Sequence, residues 1–401
     1  MWASSSEESP KSSRQLSYIL NGGITLPCVV PPFLYEAARF LTETIARFAE
    51  TDIMSGMTFA EPSKDALWKG ADFSSKDDVA VDLDPGAVAN SLTEVRALAA
   101  AGRDAVTVEK HEAPMTALAP QLAEVRDIVL NGRGLVILRG FPVDALSQPE
   151  IEIFYWAVGL HLGLPVSQSV MGDRLGHVID VSGKDSNTRA YRNSNELTPH
   201  TDPADILAFL CLKPAKTGGV SYFASSHTVH EEIRKTRPDL LERLYRGYRW
   251  HRFGEQPEGY DPITPHRVPV YSERDGLLSC RVVRQYIEIA ADEYPELGFD
   301  DIDREALDLF DALAVRKDIG FEFTLASGEA IIANNFTVLH SRTAFDDYDD
   351  PALKRHLLRL WIEADPTRPV VKETFIYGDG IVGIPPRPGS TPFYENRVAL
   401  N

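Results

Sequence analysis

The pattern of apolar positions is helical in the first third of the chain. Between residues 34 and 48, six apolar residues fall on one face of a helix at spacings of three and four. Two further helices are predicted at 87–101 and 117–130, each ending at glycine or asparagine-glycine. Residues 1–16, rich in Ser, Glu and Lys, are predicted to be a disordered tail. We therefore expect a partly helical N-terminal extension over residues 17–118.

From residue 134 onward the pattern changes to that of short strands. Residues 134–140 form an apolar run bounded by glycines, which is typical of a buried strand, and one more helix is predicted at 148–162. Phe321 and Phe323 alternate with polar neighbours, a two-residue period. The other predicted strands lie at 177–181, 206–212, 219–224, 268–271, 277–283, 319–325, 329–334 and 356–362. Many short strands with few helices favour a β-sandwich or jelly roll over a doubly wound parallel sheet.

Two helices and a hairpin interrupt the predicted strands. Thr228 and Glu231 have the spacing of a capping box, so a helix is predicted to begin there and to end before Pro238. A second helix fits residues 303–316. The Asp275–Gly276 pair between two apolar runs predicts a β-hairpin.

Composition narrows the class of protein and its partners. The 401 residues are 43% hydrophobic and 25% charged, as in ordinary globular proteins, and the net charge is −18. Without any run of Lys or Arg, neither nucleic acid nor an anionic membrane is expected as a partner. The apolar runs are too short to span a bilayer, and the N-terminus lacks the apolar core of a signal peptide. A cytoplasmic protein that binds a small molecule is predicted, and a homo-oligomer is left open.

Three scattered cysteines, Cys28, Cys211 and Cys280, contain no CxxC pair. This spacing argues against a disulfide framework or a zinc ribbon and fits a reducing compartment. All three are predicted to be buried free thiols.

Two histidines and one aspartate are candidate metal ligands. His200 and Asp202 are two residues apart, so they share one face at a strand end, which Pro199 and Pro203 delimit. Taken alone, this triplet is weak, and His340 alone is more simply explained as a hydrogen-bonded histidine at the end of a strand. Together the three match the two-histidine, one-carboxylate arrangement that holds non-haem Fe(II) and leaves one face of the ion open.

Two arginines follow on one predicted strand. With a period of two, Arg355, Arg359 and Trp361 share a face that is otherwise apolar. Arginine is almost never buried without an anionic partner, and its planar fork suits carboxylates. One arginine is therefore predicted to hold the far end of a dicarboxylate co-substrate, and the other a second anion. Structural ion pairs with nearby aspartates are the alternative.

These segments, in this order, resemble the taurine dioxygenase-like branch of the Fe(II)/2-oxoglutarate-dependent oxygenases, which includes the TauD/TfdA and clavaminate synthase-like groups. The resemblance covers roughly residues 120–365. It rests on residues 134–141, 200–202, 213–221, 335–345 and the strand of Arg355. It implies a mainly β fold with flanking helices, whose core is a double-stranded β-helix (jelly roll). We place this oxygenase domain at residues 119–370, followed by an extended C-terminal tail at 371–401.

The resemblance also implies ligands and chemistry. His200, Asp202 and His340 would bind Fe(II), and Arg355 with Ser221 would bind the distal carboxylate of 2-oxoglutarate. Ser221 has the alternative of being a plain strand hydroxyl. The implied reaction uses O₂, converts 2-oxoglutarate to succinate and oxidises a C–H bond of the primary substrate. Hydroxylation, desaturation and cyclisation are all compatible with it.

The primary substrate is predicted to be a small anionic or zwitterionic molecule, such as an amino acid or a sulfonate. Arg359 matches a position that binds an anionic substrate group in some members of the family. Proximity to the ligands suggests five more substrate contacts, for which core or turn packing is the alternative: Tyr191, Asn193, Asn195, Pro203 and Phe345. His227 and His230 are expected on a solvated helix face rather than in a second metal site.

Two other functions use the same residues. A zinc hydrolase would need only the three ligands and water, and it leaves Arg355 and Ser221 unexplained. A non-catalytic binding protein on an inactive barrel would be expected to have lost a ligand. The N-terminal extension has no recognisable motif, so a lid, a dimer surface and a scaffold all remain open for it.

Overall fold

The structure is a computed structural model that describes residues 62–180 and 194–391. Outside the described residues lie the predicted N-terminal tail, the predicted helix at 34–48, Cys28, Tyr191 and Asn193.

Four of the predicted helices are confirmed, at 87–101, 117–130, 148–162 and 303–316. The helices of the described part are α1 (Pro85–Ala100), α2 (Ala119–Leu130), α3 (Gln148–Leu162), α4 (Ser226–Thr236), α5 (Pro238–Arg246), α6 (Arg284–Glu293) and α7 (Asp301–Ala314). None of these helices combines the length and the apolar character needed to cross a bilayer.

The strands of the described residues form two main sheets and two short ribbons. They are β1 (Ala80–Asp82), β2 (Leu135–Arg139), β3 (Leu164–Val166), β4 (Leu175–Val178), β5 (Leu197–His200), β6 (Ile206–Lys213), β7 (Thr217–Gly218), β8 (Ser221–Ser225), β9 (Tyr271–Arg274), β10 (Leu277–Cys280), β11 (Gly320–Phe323), β12 (Glu329–Asn334), β13 (Val338–Arg342), β14 (Phe345–Asp346) and β15 (His356–Glu363). The large sheet has the order β1-β2-β12-β6-β15-β3, and β4 also pairs with β15. The small sheet has the order β11-β8-β13-β5. The expected mainly β fold with flanking helices is confirmed.

Alternation along the strands gives the large sheet two buried faces. In β15, Leu358, Leu360 and Ile362 join the apolar core formed with α1, α2 and α3. Leu357 of the same strand joins a second core, with Phe223 of the small sheet. The large sheet therefore lies between a helical layer and the small sheet, and every second residue of β15 points toward the small sheet.

The N-terminal extension and the C-terminal tail both contribute to the folded body. Strand β1 pairs in parallel with β2, so the described part of the extension adds a strand to the large sheet. In the tail, Ile384 forms an isolated parallel β-bridge with Gln168, which follows β3. The domain boundaries at 118–119 and 370–371 remain predictions.

Helix α4 corrects two expectations. It begins at Ser226, and the side chain of Ser225 caps it by accepting a hydrogen bond from the backbone N–H of Thr228 at 3.0 Å. His227 and His230 are buried rather than solvated, because α4 packs against α5, α7 and the strands β8, β10 and β13. Their Nε2 atoms lie 3.0 Å from the carbonyl oxygen of Leu278 and from the Tyr245 hydroxyl, respectively.

The remaining connections follow local backbone rules. The predicted hairpin is present, and both of its turn residues, Asp275 and Gly276, have positive φ, as a two-residue turn requires. Helix α5 was not predicted; it restarts at Pro238, since proline is well suited to the first turn of a helix. Cys211 and Cys280 are buried free thiols, as expected.

Candidate metal centre

The three candidate ligands converge where the small sheet ends. His200 closes β5 and lies directly opposite His340 of the antiparallel neighbour β13, with ring centroids 4.2 Å apart. Asp202 follows two residues later, in the connection to β6. One donor atom from each side chain lies within 4.8 Å of the other two, and no other such trio of His, Cys, Asp or Glu occurs among the described residues.

The spacing of the donor atoms fits a shared ion better than hydrogen bonds. The Nε2 atoms of His200 and His340 face different oxygens of Asp202, at 3.9 and 3.7 Å. These distances exceed a hydrogen bond, whereas two ligands that each lie about 2.1 Å from one ion are roughly 3 to 4 Å apart. His200 Nδ1 lies 2.7 Å from the Thr198 carbonyl oxygen and donates to it, so the lone pair on Nε2 points to the site.

The protonation states also suit a cation. Burial, reinforced by the neighbouring His200, lowers the pKa of His340 to about 3, so its imidazole is neutral at physiological pH. Burial by itself would raise the pKa of Asp202, but Arg359, His340 and His200 outweigh it and lower the pKa. The neutral imidazole of His340 and the ionised carboxylate of Asp202 are both in the form that binds a divalent metal.

Three residues that the sequence did not single out hold Asp202 in place. Trp361 Nε1 donates a hydrogen bond to Asp202 Oδ2 at 2.8 Å. The Asp202 backbone N–H donates to Asn335 Oδ1 at 3.2 Å, and the buried guanidinium of Arg281 donates to the Asp202 carbonyl oxygen. Only Trp361 carried a signal in the sequence, since it shares the strand face of Arg359.

The inner cavity lies between the two sheets, beside the triad. Its polar lining consists of His200, Ser221, His340, Ser341, Arg342, Arg355 and Arg359, and the rest of its described lining is apolar. Three of these side chains are guanidinium groups, and none of the described lining residues carries a carboxylate. The inner cavity is therefore strongly cationic and suits an anion that reaches the triad.

Arg355 is the most informative residue of the inner cavity. It is 6% exposed, and burial lowers the pKa of its guanidinium to about 10, which still leaves it protonated at neutral pH. Its Nη1 atom has no hydrogen-bond partner among the described residues. Asp347 accepts a hydrogen bond from the backbone N–H of Arg355 at 2.7 Å rather than from the guanidinium. Among the described residues the guanidinium of Arg355 forms no salt bridge, although the Asp347 carboxylate attracts it and offsets part of the effect of burial on its pKa.

Phe345 packs against two arginines of the inner cavity without lining the cavity itself. Its ring contacts two guanidinium groups, with the Cζ atoms of Arg342 and Arg355 at 4.7 and 5.0 Å from the ring centroid. Phe345 lines neither cavity described here. Arg342, whose role the sequence did not predict, also donates to the backbone oxygen of the exposed Asn195. Phe345 and Asn195 thus contact the arginines of the inner cavity, and a substrate contact of either residue stays a prediction.

A larger outer cavity opens on the other side of the triad. Its described lining is mostly aromatic and aliphatic and includes Pro203, Trp250, Phe253, Tyr286, Trp361 and Tyr377. Leu197, His200 and Arg359 line both cavities. The triad therefore stands where the two cavities meet, and Pro203 lies in the cavity where it was expected.

Arg359 is the charged residue that both cavities share, and its orientation is fixed. It is 4% exposed; Nε donates to Gln168 Oε1 at 2.6 Å, and Nη1 lies 3.7 Å from Asp202 Oδ2. Gln168 is itself held, because its Nε2 donates to the carbonyl oxygens of Arg359 and Arg174 at 2.9 and 3.0 Å. Nothing in the sequence pointed to Gln168.

Sequence comparison places the chain in a family. The model of the family described as taurine catabolism dioxygenase TauD, TfdA family, matches residues 95–361. FR-33289 synthase of Streptomyces rubellomurinus is 29% identical, over 75% of this chain and 89% of its own length. Taurine hydroxylase-like protein SAT17 of Stachybotrys chartarum is 27% identical, over 73% of this chain and 77% of its own length.

Solved structures show the same fold. An asparagine oxygenase with Fe(II), 3-hydroxyasparagine and succinate superimposes with a TM-score of 0.56 at 20% identity, covering 71% of this chain and 93% of the other. The non-haem iron oxygenase OrfP, with Fe, succinate and 3-hydroxyarginine, has a TM-score of 0.54 at 14% identity, covering 75% and 99%. The family match spans the triad, Arg355 and Arg359, and the chain therefore belongs to the TauD/TfdA family of Fe(II)- and 2-oxoglutarate-dependent dioxygenases.

Proposed function

We propose that the two main sheets form a double-stranded β-helix in which His200, Asp202 and His340 hold the catalytic Fe(II). The support is the convergence of one carboxylate and two imidazoles at the end of the small sheet. When bound, the iron supplies O₂ activation coupled to decarboxylation of 2-oxoglutarate. The chain positions this chemistry: Trp361 orients the Asp202 carboxylate, Asn335 and Arg281 hold the Asp202 backbone, and the apolar part of the lining of both cavities limits access of water.

The inner cavity is proposed to bind 2-oxoglutarate. Its keto-acid end would lie at the triad, and its distal carboxylate would lie against Arg355 and the hydroxyl of Ser221. The single observation that carries this proposal is the buried, protonated Arg355, whose Nη1 has no partner among the described residues. A planar guanidinium can bind a carboxylate through two parallel hydrogen bonds, which fixes the distance of the co-substrate from the triad.

The outer cavity is proposed to bind the primary substrate, with an anionic group placed near Arg359. The solved structures of similar fold contain hydroxylated asparagine or arginine, and an amino-acid-like or other small anion fits a largely apolar cavity with a cation beside the triad. The proposed reaction is oxidation of a C–H bond of this molecule, by hydroxylation, desaturation or cyclisation. Pro203 and Asn195 remain proposed substrate contacts. Phe345 is proposed to order the two guanidinium groups that it touches.

The proposal is tested by adding Fe(II) and 2-oxoglutarate to the metal-free protein without oxygen. We expect a visible absorption band of the ternary complex, and succinate once air is admitted. His340→Ala should abolish both signals, and His111→Ala, at an exposed histidine far from β13 in the chain, should leave both unchanged. Equal succinate formation by His340→Ala and the unmodified protein would contradict the ligand assignment.

A further inference from the structure

A tight turn at the outer cavity places an aromatic ring where the backbone disfavours it. Both central residues of the turn, Phe253 and Gly254, have positive φ, 52° and 77°. The turn is closed by a hydrogen bond from the backbone N–H of Glu255 to the carbonyl oxygen of Arg252 at 2.9 Å. Asn, Asp or Gly is preferred at both central positions of such a turn, and a bulky side chain there costs on the order of 1 kcal/mol.

The Phe253 side chain does not recover that cost by packing into the core. It is 44% exposed, although it lines the outer cavity. The turn around it is rigidly held: buried Arg252 donates to the carbonyl oxygens of Ile376 and Asp261 at 2.8 and 2.9 Å. The backbone N–H of Phe253 donates to His251 Nδ1 at 3.0 Å. A strained residue that is presented by a rigid turn and left half open to solvent points to ligand binding rather than to folding.

A second ring completes the surface. Tyr286, near the start of α6, stacks on Phe253 with centroids 5.7 Å apart and planes at 16°. It also contacts Trp250 edge to face, with centroids 6.3 Å apart, and both residues line the outer cavity. The cavity thus joins an aromatic wall at Phe253 and Tyr286 to a buried cation, Arg359, beside the triad.

We propose that Phe253 and Tyr286 form a second subsite of the outer cavity, which binds a flat or apolar group of the primary substrate. This inference rests on the proposed function, since it takes the anionic group of the substrate to lie near Arg359. The substrate class that follows is a small anion that carries an apolar or aromatic extension. Phe253 and Tyr286 then determine specificity, because they contact the part of the molecule that does not react.

Two probes separate the two subsites. Propanoate offers only the anion, and 3-phenylpropanoate adds a phenyl group; their dissociation constants are measured by titration calorimetry or ligand-observed NMR on the anaerobic protein loaded with Fe(II) and 2-oxoglutarate. We expect 3-phenylpropanoate to bind at least about tenfold more tightly, the factor expected from partial burial of a phenyl ring. Equal affinities of the two probes would overturn the subsite.

Three variants test whether Phe253 and Tyr286 cause the tighter binding of 3-phenylpropanoate. Phe253→Gly removes the ring and suits the positive φ, so the protein should fold with undiminished thermal stability while the affinity ratio falls toward one. Tyr286→Leu should lower the ratio in part. Leu277→Ala is the control, because Leu277 is exposed in the β9–β10 hairpin and lines neither cavity, and it should leave the ratio unchanged. An unchanged ratio in Phe253→Gly would refute the inference.

The test also distinguishes this inference from the proposed function. Arg359→Ala should weaken both probes by a similar factor and so preserve their ratio. If Arg359→Ala leaves propanoate binding unchanged, the anion site is refuted, and with it the substrate class inferred here. If the unmodified protein forms succinate from 2-oxoglutarate while Phe253→Gly keeps the full ratio, the enzyme assignment stands and the aromatic subsite is rejected.

Discussion

A buried charge with few partners is unfavourable at the scale of a single residue, and Arg355 is such a charge within the described structure. The Asp347 carboxylate offsets only part of its desolvation and hydrogen-bonds its backbone rather than its guanidinium, so an anion in the inner cavity would compensate the rest. The same guanidinium rests on the ring of Phe345, which orders it before any ligand binds. Binding of 2-oxoglutarate should therefore stabilise the protein as well as start the reaction.

Arg355→Ala should raise the concentration of 2-oxoglutarate needed for half-maximal succinate formation by roughly 100-fold. The loss of charge-assisted hydrogen bonds worth about 3 kcal/mol accounts for this factor. Iron affinity should change little, because Arg355 is not a ligand. Arg139→Ala, at an arginine of β2 that pairs with Asp77 and Glu329, is the control. An unaltered requirement for 2-oxoglutarate would remove Arg355 from the co-substrate site.

Trp361→Phe should weaken iron binding by about tenfold and leave the fold intact. The substitution keeps an aromatic ring but removes the hydrogen bond to Asp202 Oδ2, and residues that orient metal ligands typically contribute 10- to 100-fold. Competition with a metal chelator measures the change. Trp156→Phe, which loses a hydrogen bond to the Val108 carbonyl in the helical layer, is the matched control. Equal iron affinity in both variants would show that Trp361 does not position Asp202.

The residues that spacing along one segment brings together could be predicted from the sequence, and those joined by tertiary contacts could not. His200 and Asp202 lie together at a strand end, and Arg355, directly before β15, lines the same cavity as Arg359, so the two-residue period of a strand was enough to group them. Gln168, which follows β3, accepts a hydrogen bond from Arg359, 191 positions away in the chain. Arg281 and Asn335 are likewise distant from Asp202 in sequence, and no local pattern marks such contacts.

At the scale of elements, β15 separates stability from chemistry by its two faces. Leu360 is fully buried in the core shared with α3, whereas Arg359 beside it lines both cavities. Strand β15 was predictable because its apolar run is long and has clear ends. Helix α6 was not, since only Ile287 and Ala290 among its residues are buried, which leaves too short an apolar stripe to detect. The start of α4 was misplaced because the serine that caps it lies three residues before the predicted cap.

Leu360→Ala should lower the free energy of unfolding by about 2 to 5 kcal/mol, the range for removing a buried leucine side chain. Succinate formed per folded molecule and the 2-oxoglutarate requirement should stay the same, because the side chain faces the helical layer. Urea denaturation and steady-state assays measure the two quantities. Leu353→Ala, at an exposed leucine, is the matched control. A large change in the co-substrate requirement would mean that the two faces of β15 are coupled.

At the scale of the whole molecule, histidines outside the metal centre make stability depend on pH. Burial lowers the pKa of His177 and His230 to about 4, and that of His227 and His356 to about 3. Below pH 6.5 the unfolded chain binds protons that the folded chain does not. Each histidine therefore contributes its full stability above pH 6.5 and loses about 1.4 kcal/mol per pH unit below it. Asp205 acts oppositely, because burial raises its pKa to about 6 and the folded state gains its proton first.

The free energy of unfolding of the metal-free protein should consequently fall steeply between pH 6.5 and pH 5, as urea titrations at several pH values would show. His177 and His356 have ring nitrogens 2.8 Å apart, so at most one proton fits between them. Replacing both with glutamine should reduce the slope of the unfolding free energy against pH by up to the contribution of two titrating groups. A pH profile that the double variant leaves unchanged would mean that these two imidazoles do not carry the effect.

The cross-strand pairing of His200 with His340 has a consequence for how the protein matures. His200 and Asp202 are close together in the chain, but His340 follows Asp202 only after 138 positions. In an unfolded chain, a contact across so long a loop carries a large entropic cost, so the ion has no preformed cage to enter. The proposed iron site is therefore complete only after β5 and β13 have aligned. Iron occupancy would then report on the completion of folding, and a misfolded copy would be unable to activate oxygen.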